Sequence, residues 1–159
     1  MGLQVLQGGI RWGEAAMDVT DAVTNPYFGG QPSCMQTSGL VRLAKTADAD
    51  AFVGVYQNAS NQDAENGNAT VVVPPAIVRF INGSVEEDTT NNAGAVLEGA
   101  PYDTSTTFSP SNLLYIGSTG LWENSGTAGT EKGIVTKGNT SADDAVEAIM
   151  WGTNLTATS

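Results

Sequence analysis

Carboxylates that lie close together are the residues of this chain with the clearest potential for chemistry. Paired carboxylates can bind calcium or serve as the acid and base of a glycoside hydrolase. They occur at Asp48 and Asp50, in the run Glu86-Glu87-Asp88, and at Asp143-Asp144. The first pair does not continue into a D-x-[DN]-x-[DN]-G calcium loop. Because exposed carboxylates are the ordinary case in an acidic chain, we expect solvated loops at these places.

The chain lacks the residues of the commonest catalytic and metal-binding sites. It has no histidine, which removes Ser-His-Asp and Cys-His catalysis and most zinc sites. No P-loop and no dinucleotide-binding glycine motif occurs. The single cysteine, Cys34, has neither a disulfide partner nor a histidine to activate it, and we expect it to be partly buried. We therefore expect no enzyme activity, no cofactor and no bound metal.

The charge balance restricts the classes of partner. The formal net charge is −11, with only 6 basic residues. Neutralising nucleic-acid phosphates requires lysine and arginine, so we expect no nucleic-acid partner. An anionic membrane surface is disfavoured for the same reason, and no apolar run has the length of a membrane-spanning helix. The first residues also lack the basic and apolar segments of a secretory signal.

Composition and alternation indicate an all-β protein, a small barrel or sandwich. Hydrophobic residues make up 40% and charged residues 14%, and glycine, serine, threonine and asparagine are abundant, as expected for strands with many turns. Alternation predicts strands at 40–44, 51–57 and 133–138 and a hairpin within 112–124. Residues 143–151 fit either a helix or a strand, and we favour a strand that places Val146, Ala148 and Met150 on one face.

The most apolar stretch, "ATVVVPPAIVRFI" (69–81), contains two consecutive prolines. Proline has no N–H to give to a sheet ladder. We predict that Pro74 and Pro75 form a corner between two strands, at the point where the chain leaves one hydrogen-bonding partner and joins another.

Residues 1–38 differ from the rest, because their apolar residues are scattered among glycine, proline and polar residues without a sustained period. We predict an extended N-terminal arm, followed by a β-domain at 39–159 that folds without residues 1–28. Six apolar residues are the predicted anchors on a partner subunit: Leu3, Val5, Ile10, Trp12, Tyr27 and Phe28. The alternative is an ordinary strand and loop packed on the domain's own core. For Trp122 and Trp151 we expect burial rather than an exposed sugar-stacking platform.

The strand pattern resembles the cement, or decoration, proteins of tailed-phage capsids. The similarity covers about 39–152 and consists of "LVRLAKTADADAFVGVYQNAS", "ATVVVPPAIVRFI", "NLLYIGSTGLWEN", "KGIVTKG" and "DDAVEAIMWG". It implies a small β-barrel or sandwich, frequently a homotrimer, that clamps the major capsid protein on the outer surface of the virion after synthesis in the host cytoplasm. The family has no catalytic residues to carry over.

Two other classes remain open from the residues. One is a carbohydrate- or receptor-binding β-module of a phage fibre, which would use exposed Trp or Tyr and the Asn/Asp loops. The other is a small hydrolase that uses the acidic pairs.

Overall fold

The computed structural model describes residues 2–83, 99–141, 144–151 and 157–158. These form nine strands: β1 (Leu3–Ala16), β2 (Pro32–Met35), β3 (Val41–Leu43), β4 (Phe52–Tyr56), β5 (Asn68–Phe80), β6 (Leu113–Ile116), β7 (Trp122–Glu123), β8 (Gly133–Lys137) and β9 (Val146–Met150). Two short helices, α1 (Val19–Thr24) and α2 (Ser60–Asp63), and a 3-10 helix at Thr46–Ala51 complete the fold. The all-β prediction is confirmed: the strands form an antiparallel sheet curled into a half-barrel.

Strand β5 is the centre of the sheet. The strand order is β3-β2-β4-β5-β9-β8-β6-β7, and β1 pairs with β5 outside this path. Val72 is in register with both Val55 of β4 and Arg11 of β1, and Ala76 with both Met150 of β9 and Gly8 of β1. One edge of β5 is therefore occupied by β1, and the other is shared by β4 and β9.

The two prolines do not divide β5, so the prediction of two strands joined at a corner is wrong. Residues 68–80 form one strand because Pro74 and Pro75 adopt the extended backbone that proline allows. The predicted change of partner does occur there, since β4 pairs with Val71 and Val72 while β9 pairs with 76–80. Neither β4 nor β9 pairs with Pro74 or Pro75, so the missing proline N–H groups remove no hydrogen bond to these two strands.

Strand β1 adapts to the prolines through two glycines. Gly9 alone lies opposite both prolines, between the pairs Gly8↔Ala76 and Ile10↔Val73. Gly8 and Gly9 have φ angles of +71° and +77°, a region that side chains disfavour. A Cβ at Gly9 would lie 2.8 Å from a methyl carbon of Val72. This irregularity, in which Gly9 of β1 faces both prolines of β5, is a β-bulge. It requires glycine in β1 both for the backbone conformation and for space.

The two faces of β5 serve two hydrophobic cores. The main core contains Val72, Ala76, Val78 and Phe80 on one face, packed around the fully buried Trp122. The Trp122 indole N–H donates to the Gly30 carbonyl oxygen at 2.8 Å. The second core lies on the opposite face and contains Ala69, Val71, Met17, Val53, Tyr27 and Tyr56. In the first half of β5 both faces are covered, and this half carries Ala69, Val71, Val72 and Val73.

Several of the predicted strands are confirmed. The segments 40–44 and 51–57 contain β3 and β4, the hairpin within 112–124 is β6 and β7, and β8 lies within 133–138. The ambiguous segment 143–151 contains β9, with Val146, Ala148 and Met150 buried on one face. The 3-10 helix lies between β3 and β4, and α2 lies between β4 and β5.

The first 38 residues do not form a separate arm. Strand β1 pairs with β5 from Leu3 to Ala16, and β2 pairs with β3 and β4 inside the sheet. Leu3 and Tyr27 are buried in the two cores. The prediction failed because β1 has few buried side chains of its own, and its place is fixed by backbone hydrogen bonds to β5 that the sequence does not reveal.

Deleting residues 1–28 should therefore prevent folding rather than leave an intact domain. The deletion removes a full-length neighbour of β5 and the buried side chains of Leu3, Ala15, Met17 and Tyr27. Large buried apolar side chains contribute roughly 1.5–3 kcal/mol each, against a total stability of about 5–15 kcal/mol for a domain. Circular dichroism melts would check this, with the intact chain as control. A cooperative transition in the truncated chain would restore the arm model.

Candidate binding surfaces

The carboxylates singled out in the sequence have different environments. Glu86, Glu87, Asp88 and Asp143 lie outside the described residues. Asp50 is exposed, as expected for a solvated loop.

Asp48 departs from the expectation of a solvated loop. It is buried and accepts two hydrogen bonds from the Arg42 guanidinium, at 2.9 and 3.0 Å. The backbone N–H of Lys45 donates to the same carboxylate at 3.0 Å. Asp48 is thus a structural ion-pair residue that fixes the start of the 3-10 helix.

Asp144 organises the turn before β9. Its carboxylate accepts hydrogen bonds from the Thr140 hydroxyl at 2.6 Å and from the backbone N–H groups of Thr140 and Ser141. The Thr140 hydroxyl is the main reason that the Asp144 pKa is lowered. These contacts give Asp144 a capping role.

The described residues contain no group of three or more acidic or cysteine side chains placed to hold a metal ion. Cys34 is buried, and burial raises the pKa of its thiol to about 12. At neutral pH the thiolate that nucleophilic chemistry requires is therefore scarce.

The six predicted partner anchors are dispersed. Leu3 and Tyr27 are buried in the protein's own cores, which makes both of them wrong as intermolecular anchors. Val5, Trp12 and Phe28 are half-buried. Val5 packs on the main core, Trp12 on the second core, and the Phe28 ring lies against Gly99. Ile10 alone is largely exposed, at 73%.

Exposed apolar side chains are nevertheless concentrated near the N-terminus. Among the described residues, five large hydrophobic side chains are exposed, and four of them fall between residues 6 and 23. We call these four the N-terminal apolar surface: Leu6, Ile10, Val19 and Val23. The exception is Ile149 on β9. Sequence reasoning missed Leu6, because whether an apolar residue is covered depends on the tertiary packing.

Helix α1 presents the C-terminal part of this surface. The Asp18 side chain caps the helix by accepting from the Asp21 N–H at 2.9 Å. Val19, Ala22 and Val23 then share one helical face. With Pro26 and Ala64 they line an apolar groove of about 260 Å³ between α1 and α2.

Ile10 lies on the side of the sheet that α1 covers. It pairs directly with Val73, as Trp12 does with Val71, and directly opposed residues share one face of a sheet. Val71 belongs to the second core, against which Ala22 of α1 also packs. Ile10 and α1 are therefore on the same side of the molecule.

A polar cavity of about 520 Å³ lies between β1 and α2. Its lining comes from two places: β1 and β5 contribute Gly13, Glu14, Asn68 and Thr70, and the α2 region contributes Asn58, Gln62, Asp63 and Asn66. The available sequence signal was the abundance of asparagine between 58 and 68. The contribution from β1 could not be foreseen without the β1–β5 pairing.

Asp63 is the buried carboxylate of this cavity. The Tyr27 hydroxyl donates to one carboxylate oxygen at 2.7 Å, and the Asn58 amide lies 3.4 Å from the other. Burial raises the Asp63 pKa, and the two hydrogen bonds oppose that shift. Burial also raises the pKa of Tyr27, whose ring stacks on Tyr56 with centroids 3.5 Å apart. The hydrogen bond therefore ties the cavity wall to the second core.

Comparison with known proteins does not identify a relative. The chain matches no protein-family model, and no curated protein is significantly similar to it in sequence. Within the described residues, none of the helices is long and apolar enough to cross a membrane.

The pH dependence of the free energy of unfolding should reveal the raised pKa of Asp63. Its pKa in the folded protein is raised above the ordinary value of 3.8, so its contribution to stability is complete below that pH and is lost as the pH rises through the folded pKa. Asp63→Asn keeps an acceptor for Tyr27 but cannot ionise. Wild type should therefore lose stability relative to this variant as the pH increases from about 3.8, in denaturant titrations.

The exposed Asp50→Asn substitution is the matched control for the change in net charge. Two results would contradict this account of Asp63. In one, the stability difference between wild type and Asp63→Asn does not change with pH. In the other, wild type gains stability relative to the variant as the pH rises.

Proposed function

We propose that this protein is a structural virion protein that binds the outer surface of an icosahedral tailed-phage capsid and stabilises the shell. The observation that carries the proposal is the concentration of exposed apolar side chains in the N-terminal apolar surface. The resemblance of residues 39–152 to cement proteins supplies the class of partner. No described feature requires an enzymatic role, and the proposed role needs no catalytic group.

The N-terminal apolar surface has the chemistry of a docking site. Ile10 and Val23 are 73% and 83% exposed, and covering such side chains yields roughly 1–2 kcal/mol each. Both lie on the same side of the molecule, and Val23 lines the apolar groove of α1 and α2. A partner that covers this side would bury apolar side chains that a strand and a helix already hold in place. Binding would therefore lose little conformational entropy.

The long edge of β1 is protected against indiscriminate pairing. Among the described strands, β1 pairs only with β5, so its second edge is open. Three register irregularities and the conformations of Gly8 and Gly9 interrupt it. Bulges of this kind prevent edge-to-edge aggregation. Together with a net charge of −11, they favour a chain that stays dispersed until it meets its partner.

The proposed partners are the major capsid protein and two further copies of this chain. A stable trimer should bury at least ~1,000 Å² at each interface. Sedimentation velocity at micromolar concentration should give the mass of a trimer, compared with 16.4 kDa for one chain. A monomer in solution and on the particle would contradict the trimer without affecting capsid binding.

The capsid-binding proposal is tested by polar replacements on the N-terminal apolar surface. The double variant Ile10→Thr, Val23→Thr should retain the wild-type melting temperature, because both side chains are exposed. Its binding to shells of the same phage should weaken by about tenfold or more, since each lost contact is worth ~1 kcal/mol. Occupancy on purified shells, measured by quantitative gel after sedimentation, is the readout.

Ile149→Thr is the matched control, because Ile149 is a 40% exposed apolar residue on β9 that does not belong to the N-terminal apolar surface. It should bind shells as wild type does. If wild type does not bind shells, the proposed function fails. If the double variant binds as tightly as wild type, the assigned surface is wrong.

A second candidate function, a carbohydrate- or receptor-binding module of a phage fibre, is favoured by the polar cavity. It is not favoured by the tryptophans, because Trp122 is fully buried and Trp12 packs on the second core.

A further inference from the structure

We propose that the polar cavity between β1 and α2 binds a neutral saccharide. This inference gives the second candidate function a site and a ligand class, and it does not depend on capsid binding. The inference rests on three features of the cavity. A β-bulge forms part of its lining, its walls are held by contacts within the chain, and its polar groups are of particular types.

The third irregularity of β1 lies at the cavity. Between the pairs Trp12↔Val71 and Ala15↔Ala69, two residues of β1, Gly13 and Glu14, face the single residue Thr70 of β5. All three line the cavity. A bulge redirects the side chain at its position and is common beside binding sites. Here it brings the Glu14 side chain to the cavity next to β5.

The walls are held in place by contacts within the chain. Asp63 is only 5% exposed and is bound by the Tyr27 hydroxyl. The side-chain amide oxygen of Gln62 accepts from the backbone N–H of Ala59, which fixes the start of α2. Asn68 and Thr70 belong to β5, which is paired on both edges. A ligand would therefore meet a site that is largely formed in advance.

The lining groups select the class of ligand. Four of them are amides, at Asn58, Gln62, Asn66 and Asn68, and each amide offers both N–H donors and a carbonyl acceptor. A metal ion or an ammonium group would use only the oxygens and leave the donors unpaired. A sugar hydroxyl donates and accepts at once, so adjacent hydroxyls can satisfy both halves of an amide.

The charge and the size of the cavity narrow the class further. Glu14 and Asp63 accept hydrogen bonds from hydroxyls but repel anionic sugars, and no lysine or arginine is among the described residues of the lining. In the described part of the chain, neither Glu14 nor Asn66 has a side-chain hydrogen bond or ion pair. The volume of about 520 Å³ lies in the range of small-molecule sites, which suits a short neutral oligosaccharide.

Titration of the ¹⁵N-labelled full chain tests the proposal. The probes are maltotriose, cellotriose, mannotriose and N,N′,N″-triacetylchitotriose, each added to ~10 mM, which nearly saturates a site with a Kd of ~1 mM. At least one should produce saturable shifts in the backbone amides of Gly13 and Thr70 and in the side-chain NH₂ signals of Asn66 and Asn68.

Gly13→Leu is the blocking variant. A Cβ at Gly13 meets no other atom within 4 Å, so the leucine should occupy the cavity without disturbing the fold. It should weaken saccharide binding at least tenfold and leave capsid occupancy unchanged. Gln7→Leu, at an exposed position of the same strand, is the matched control and should bind the sugar as wild type does.

The remaining outcomes count against the proposal. Absence of shifts with all four sugars, or shifts that Gly13→Leu leaves unaltered, would overturn it. If calcium chloride shifts the same signals, no sugar does, and Glu14→Gln abolishes the effect, the cavity is a cation site instead. If Gly13→Leu fails to fold, the sugar titration of wild type decides by itself, through the residues that shift.

Discussion

The fold depends on how β5 satisfies its backbone hydrogen bonds on both edges. Two consecutive prolines in its middle cannot donate to a neighbouring strand, and neither β4 nor β9 pairs with them. Strand β4 pairs with the first half of β5 and β9 with the second half, while β1 runs along the opposite edge, where Gly9 faces both prolines. The sheet therefore curls about β5, and the two faces of this strand pack in separate cores.

The β1–β5 pairing also creates both candidate binding surfaces. The register at Ile10 fixes which side of the sheet carries the exposed isoleucine, and the bulge at Gly13 and Glu14 forms one wall of the polar cavity. The second core connects the two regions, because Ala22 of α1 and Tyr27 both contribute to it, and Tyr27 holds Asp63. A rigid interior thus supports two chemically different surfaces, one apolar and one polar.

These surfaces suit a protein that works by binding. The apolar side chains near the N-terminus are carried on a strand and a helix that are already ordered, so association loses little conformational entropy. The isolated carboxylates have structural roles: Asp48 holds Arg42, and Asp144 caps a turn. Of the carboxylates singled out in the sequence, Asp48 and Asp144 therefore serve the fold.

The sequence alone determined the all-β class, several strands and the change of partner at the prolines, because alternation and the missing N–H are local properties. For 143–151 the sequence favoured a strand without excluding a helix, and the structure shows β9, with Val146, Ala148 and Met150 buried on one face. Only the tertiary structure decided that β1 belongs to the sheet, since its place is set by backbone bonds to a strand more than fifty residues away. The tertiary packing also decided that Tyr27 is core, that Ile10 is exposed, and that Glu14 and Asp63 line the same cavity. Long-range register decided these features, and register leaves little trace in a strand with few buried side chains.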